Sequence, residues 1–399
     1  MNNVQRQRND YNNEIYDPRK DKSAKKRDVK LIMREKGSFD KIFFIIIVLL
    51  LLFGSVMVFS SSYAFALERY GDSYYFAGRQ FLWACVGFAA MLLVSKFLDP
   101  AWIRKFTIPF FIVVIILNCC TRLPVIGVNK KNVFRWLKIG IEFQPSELLK
   151  LAVVLMFALY IVKYGEHMKK ARYGIVYPFL CIGVISIIMA AQKHISGLII
   201  LAAIQVVMIF ISGAPLTWLG ALVAAGSGAL WSLIMFTDYA ATRINVWQDP
   251  WKYIQGDGWQ NVQSILAIGS GGIFGVGLGQ SRQKYLYLPE PQNDFIFSIV
   301  CEELGFIGAI AVIVLFGLLI WRGLVIAFRC SDKYSALVVF GIIMKVTIQT
   351  ILNIGVVTKA FPNTGISLPF FSYGGTSLLI LMAEMGIILS ISRYSYIDK

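Results

Sequence analysis

Apolar runs of about twenty residues recur along this chain, and a run of that length crosses the hydrocarbon core of a bilayer as one helix. Lipid offers no partner for backbone N–H and C=O groups, so each run must satisfy its own, which a helix does. Composition agrees: 57% of the 399 residues are hydrophobic and only 16% are charged, against roughly a quarter charged in soluble domains. Ten spans are predicted, near 42–64, 76–98, 106–124, 145–164, 174–192, 195–213, 215–236, 294–322, 334–358 and 376–393. The fold class is an all-α polytopic membrane protein with about ten transmembrane helices. Its one large loop, 237–293, lies between spans seven and eight.

Basic residues orient such a bundle, because they stay on the cytoplasmic side. Lysines and arginines crowd the segment 1–41, from Arg6 to Lys41. This segment is expected to be a disordered cytoplasmic tail, not a cleaved signal peptide. An even number of spans then returns the C-terminus to the cytoplasm and puts 237–293 outside. One outer loop breaks the charge rule: "VNKKNVFRWLKIG" carries Lys130, Lys131, Arg135 and Lys138. Excess positive charge there calls for anionic lipid headgroups or an anionic ligand.

Several chemistries are excluded. No P-loop and no G-x-S-x-G elbow occur. The two histidines, His167 and His194, fall on opposite sides of the predicted membrane, against a catalytic zinc site. The six cysteines lie in or beside spans without a C-x-x-C and read as apolar fillers. No nucleic-acid partner is expected.

The outer loop carries "RINVWQDPW" and then a glycine-rich stretch, Gly269 to Gly279. Without a strand–helix–strand context these glycines are no dinucleotide fingerprint. They suit a re-entrant or interfacial hairpin that packs closely. Arg243, Arg282 and Lys284 add cations suited to phosphate groups. Asp294 closes the loop at the start of span eight, and two readings stay open for it. It is a helix N-cap, or it is a general base made more basic by an apolar lid. Glu302 and Glu303 lie deeper in the same apolar run, where a charge is expensive and must find a partner. Lys150 and Lys345 are candidates. Glu147 and Lys150, three apart on span four, can pair with each other.

The stretches "FQPSELLKL", "GWQNVQSILAIGSGGIFGVGLGQSRQKYLYLPEPQNDFIFSIVCEELGFIGA" and "PNTGISLPFFSYGGTSLL" resemble the SEDS family, the shape, elongation, division and sporulation proteins of bacterial walls. "VMVFSSS" and "GLGQSRQKYLYLPE" look like its division and sporulation branch. The resemblance implies a peptidoglycan glycosyltransferase that polymerises lipid II on the outer face of the membrane. It also implies a class B penicillin-binding protein and other division proteins as partners, and a place at the division septum. Asp294 of "NDFIF" matches the family's essential aspartate and takes the general-base role.

The substrate-binding candidates are Arg243, Arg282, Lys284, Arg135 and Lys138 for the pyrophosphate, with Gln260 and Ser372 from the matched motifs. Glu147, Lys150, Glu302 and Glu303 are expected to be buried polar support. A divalent cation could assist, though no ligand cluster declares one. Two other readings of such a chain are a lipid II flippase, using charges along a path through the bilayer, and a non-catalytic division scaffold. The chain departs from the family pattern in three places. "QKHIS" replaces an acidic P-D-x-G, "NVFRW" replaces G-A-R-R-W, and "PNTG" lacks the lysine of P-T-K-G, for which Lys359 is a candidate stand-in. Gly305, Gly308 and Ala309 form a small-residue patch suited to a partner helix.

Overall fold

The computed structural model describes residues 37–123, 126–130, 133–236 and 238–394. The basic tail read from 1–41 lies almost wholly outside them, as does Lys131. Residues from Phe39 onward form one compact unit. Among the described residues eight helices are long and apolar enough to cross a membrane. They include α1 (Lys41–Tyr70), α2 (Tyr75–Phe97), α3 (Pro100–Cys120) and α4 (Pro145–Tyr164). α5 (Tyr177–Ala191) follows a π-helical turn at Arg172–Val176. Two further apolar helices, α6 (Ile195–Ile211) and α7 (Leu216–Phe236), fill the sixth and seventh predicted spans. After the outer segment come α10 (Ile296–Arg329), α11 (Lys333–Val357) and α12 (Gly375–Ser392). The chain is a multi-pass helical membrane protein.

Helix boundaries follow local chemistry. α1 runs past its predicted end until Gly71, whose left-handed φ of 68° closes it with an N–H to the Leu67 carbonyl. α3 starts early because Pro100 suits a first helical position. Asp40 caps α1 through the Phe43 N–H and pairs with Arg322 of α10 at 2.8 Å.

The basic outer loop after α3 is not the plain connection expected. It forms a three-stranded antiparallel sheet of β1 (Gly127–Lys130), β2 (Val133–Ile139) and β3 (Ile141–Phe143). Gly140, at φ 76°, makes the turn that pairs Ile139 with Ile141. Leu137 is buried against the bundle while Lys138 stays exposed.

The 237–293 segment is also built rather than loose. It holds α8 (Asp238–Gln248) and α9 (Trp259–Gly271), and α9 packs along α10. The chain then presses into a break in α10 at Gly305, where φ is 66° and ψ is −163°. A β-carbon on Gly305 would lie 2.3 Å from the Gly275 nitrogen, and one on Gly275 would lie 2.2 Å from the Glu303 carbonyl oxygen. The loop satisfies the backbone groups that the break releases. Val276 and Gly277 donate to the Glu302 and Glu303 carbonyls, and Phe306 and Ile307 donate to Gly272 and Ile273. Of the small-residue patch, Gly305 is taken up by the loop, and Gly305, Gly308 and Ala309 are all buried. Beyond the break, 306–329 is about 36 Å long at 1.5 Å per residue, enough to cross the hydrocarbon core unaided.

Candidate active site

The break in α10 explains the two carboxylates in its apolar run. Glu303 pairs with Lys284 at 2.8 Å and accepts the Ser60 hydroxyl at 2.6 Å. Glu302 accepts the Ser281 hydroxyl at 2.5 Å and the Arg282 N–H at 2.8 Å. Both are buried, and together they rivet the loop onto the short helical stub above Gly305. Their partners are therefore loop residues and Ser60 of α1, not Lys150 or Lys345. Asp294 stands outside the helix that carries the two glutamates, which starts at Ile296.

Lys284 was expected at the substrate, but it is 2% exposed and committed to Glu303. Ser281 and Lys284 stand at S-x-x-K spacing, yet the hydroxyl serves Glu302 and the ammonium serves Glu303. Neither is presented as a nucleophile or base.

Asp294 sits differently. α10 begins at Ile296, its cap position is Phe295, and no side chain caps it, so the N-cap reading of Asp294 does not hold. Its carboxylate lies on the wall of a cavity of about 1100 Å³. Among the described residues it accepts no hydrogen bond. The backbone of 292–294 is held at three successive carbonyls: Tyr373 N–H donates to Gln292 O at 2.8 Å, the Ser372 hydroxyl to Asn293 O at 2.7 Å, and Asn353 Nδ2 to Asp294 O at 2.8 Å. Ser372 thus supports the aspartate's segment and is not part of the large cavity's lining. Burial pushes the Asp294 carboxyl up to about 6, with Glu290 adding to the rise and Arg243 and Arg135 opposing it.

Other predicted residues divide sharply. Arg243, Arg135, Glu147 and Lys150 line this cavity with Asp294; Arg282, Lys284, Lys138 and Gln260 do not. Arg282 and Lys138 are exposed elsewhere, and Gln260 Nε2 donates to Pro289 O at 3.3 Å. Arg243 reaches the "PNTG" turn from α8, donating to Asn363 O at 2.5 Å. Trp247 Nε1 secures the same segment at Lys359 O, 2.9 Å away. Lys359 itself is outside the lining, so it does not replace the missing lysine at the site; Arg243 is the cation beside that turn. Gly365 keeps the turn close to the base, since a β-carbon there would sit 3.3 Å from Asp294 Oδ2.

Arg135 donates to the Lys193 carbonyl, tying the sheet to the α5–α6 link. Burial and the adjacent Arg135 push His194 down to about 3, so it is neutral and the departure at "QKH" adds one positive charge to the cavity, Lys193. On the cavity floor Glu147 and Lys150 pair at 2.7 Å.

Sequence reasoning passed over several groups. Glu290, Arg79, Tyr70 and Tyr75 also line the cavity. Glu290 holds a left-handed φ of 45°, costly for a residue with a β-carbon, and accepts from Asn293 Nδ2 at 2.9 Å. Glu384 pairs with Lys345 in the bundle core. A carboxylate in an apolar run was its signal, the same one that singled out Glu302 and Glu303. Among the described residues no group of three or more His, Cys, Asp or Glu side chains could hold a metal ion.

The arrangement offers a basic carboxylate and several cations around one solvent-accessible cavity, which suits proton removal beside an anionic leaving group. Comparison with known proteins agrees on a family. The family profile for FtsW, RodA and SpoVE, described as cell cycle proteins, matches residues 40–397. Stage V sporulation protein E of Bacillus subtilis (strain 168) is 38% identical over 367 residues, covering 90% of this chain and 99% of that protein. A probable peptidoglycan glycosyltransferase FtsW of Geobacter sp. (strain M18) is 34% identical over 361 residues, covering 90% and 98%. A chain solved in work on the coordination of polymerization and crosslinking by a peptidoglycan synthase complex superposes with a TM-score of 0.72. It is 26% identical and covers 90% of this chain and 99% of that one. The rod shape determining protein RodA of Thermus thermophilus shares the fold at a TM-score of 0.66, 24% identity and coverages of 90% and 98%. A match over nearly the whole chain, together with relatives above 30% identity, places this protein in the FtsW/RodA/SpoVE family of cell cycle proteins.

Proposed function

We propose that this chain is a peptidoglycan glycosyltransferase that polymerises lipid II on the outer face of the membrane during cell division. The observation that carries the reading is Asp294, a carboxylate that receives no hydrogen bond among the described residues and stands, with its carboxyl pushed up to about 6, on the wall of a cation-rich cavity. In the proposed step Asp294 takes the proton from the 4-hydroxyl of the acceptor GlcNAc. The acceptor oxygen bonds to C1 of the donor MurNAc with inversion, the C1–O bond to phosphate breaks, and undecaprenyl pyrophosphate leaves with the electron pair. Arg243, Arg135 and Lys193 are the cavity cations that would meet the developing pyrophosphate charge. Arg243 donates to Asn363 O, which fixes its head at the turn facing Asp294.

In this reading the termini lie in the cytoplasm, the cavity opens to the outside and the protein works at the septum. A class B penicillin-binding protein is its assigned partner, and the similarity to a chain of a peptidoglycan synthase complex supports that pairing. The flippase reading loses its basis in buried charge, because Glu303 with Lys284, Glu147 with Lys150 and Glu384 with Lys345 are ion pairs rather than a vacant path. The deciding experiment gives purified chain, with and without the partner, fluorescent lipid II and reads glycan on a gel. Polymer from wild type and none from Asp294→Asn is the expected result; equal polymer from both removes Asp294 from the chemistry, and none from either removes the activity.

A further inference from the structure

The mouth of the Asp294 cavity carries an aromatic ledge that the reaction step does not use. Gly71 reverses the chain between α1 and α2 and brings Tyr70 against Tyr75, ring centroids 3.8 Å apart and planes 8° from parallel. Arg79, one helical turn on, covers the other face of Tyr75 at 4.1 Å. Tyr75 is therefore sandwiched, and Tyr70 is left as the outer layer with 47% of its surface exposed. All three side chains line the cavity. Phe76, buried beneath them, meets Tyr373 edge-on at 4.9 Å, and the Tyr373 N–H holds the carbonyl of Gln292 two residues before Asp294. The ledge and the base thus share one cavity and one support.

Tyrosines at a membrane surface ordinarily lie among lipid headgroups. These two instead form a flat, rigid, pre-stacked surface facing a cavity, which costs little ordering when a ligand lands on it. A pyranose ring presents a face of C–H bonds to such a surface and keeps its hydroxyls in water. Stacking on an aromatic face is tolerant of which repeat unit is present, a property a polymer-holding site needs. We propose that the Tyr70–Tyr75 ledge is a glycan-binding subsite that holds a sugar ring of the growing strand on the open face of Tyr70. The inference rests on the glycosyltransferase reading and gives the ledge a distinct role within it, the retention of the strand between additions. Loss of the ledge then shortens the product while leaving single additions almost intact.

The test compares Tyr70→Ala, Tyr70→Leu and Tyr70→Trp in the full chain with its penicillin-binding partner, given fluorescent lipid II. Initial lipid II consumption, glycan length and thermal unfolding in detergent are read together. The expected result is glycan at least threefold shorter for Ala and Leu, wild-type length for Trp, and initial consumption within twofold of wild type for all three. Wild-type length from Tyr70→Ala overturns the ledge. Equal loss of length and initial consumption, or loss from Leu with no recovery by Trp, also overturns it in favour of a structural role, as does a lowered unfolding midpoint in Ala and Leu alone. No polymer from wild type sinks the glycosyltransferase reading first, a result distinct from all of these.

Discussion

Asp294 and the pair Glu302 and Glu303 lie within ten residues of one another, and their surroundings differ completely. The two glutamates are saturated: a lysine, two serine hydroxyls and backbone N–H groups reach them from the docked loop and α1. The aspartate's carboxylate receives no donor among the described residues, while the backbone of 292–294 is gripped by Tyr373, Ser372 and Asn353. One region spends its carboxylates on holding a loop; the other holds the main chain still and keeps the carboxylate available. A partnered buried charge has reached its lowest state, whereas an unpartnered one retains capacity to take a proton.

The largest expected effect breaks the comparison on the aspartate side. Asp294→Asn should lower polymerisation by a factor of about 10²–10⁴, the range for a lost general base, with an unchanged unfolding midpoint because the side chain accepts no hydrogen bond among the described residues. A large drop in the midpoint would make Asp294 a structural residue like its neighbours. On the glutamate side, Lys284→Met strands Glu303 in a buried site, at a cost of about 3–5 kcal/mol. Differential scanning fluorimetry should show an early transition and limited proteolysis should cut within 273–293. A wild-type melt would mean the ion pair does not secure the loop.

Two cations of the outer segment sharpen the contrast further. Arg243 lines the cavity and Arg282 does not. Arg243→Ala should raise the KM for lipid II about tenfold, equivalent to about 1.4 kcal/mol, and Arg282→Ala should leave it within twofold. Equal effects would mean that proximity to the cavity does not decide substrate use. The smallest effect is in pH. With its carboxyl pushed up to about 6, Asp294 is protonated below that value, so kcat/KM should fall as pH drops through 6 and level off above it. Removing the neighbouring anion in Glu290→Gln makes ionisation easier, and the acidic limb should move to lower pH. An unmoved limb would separate Glu290 from the base.

How far the sequence was legible depended on the range of the interaction that decides each feature. Hydrophobic run length is local, so the spans could be placed before any packing was known. The match of "NDFIF" singled out Asp294, but its freedom from capping depends on α10 starting at Ile296. Glu302 and Glu303 were placed on an unbroken helix because a left-handed Gly305 leaves no mark in an apolar run. Arg243, Arg282 and Lys284 were alike as loop cations. Their fates diverge only through tertiary placement, one at the cavity, one exposed and one buried. Tyr70 and Tyr75 were hidden by the turn at Gly71, which brings together two helices read as separate spans.

The mutual contact of Gly275 and Gly305 also constrains how this protein can evolve. Each position is blocked by the other's backbone neighbourhood rather than by a side chain. A clash with a side chain can be relieved by a second mutation that trims it; a clash with main-chain atoms offers nothing to trim. Lineages carrying a substitution at either glycine should regain fitness by reversion, and a suppressor screen started from Gly305→Ala should return few second-site changes within the contact.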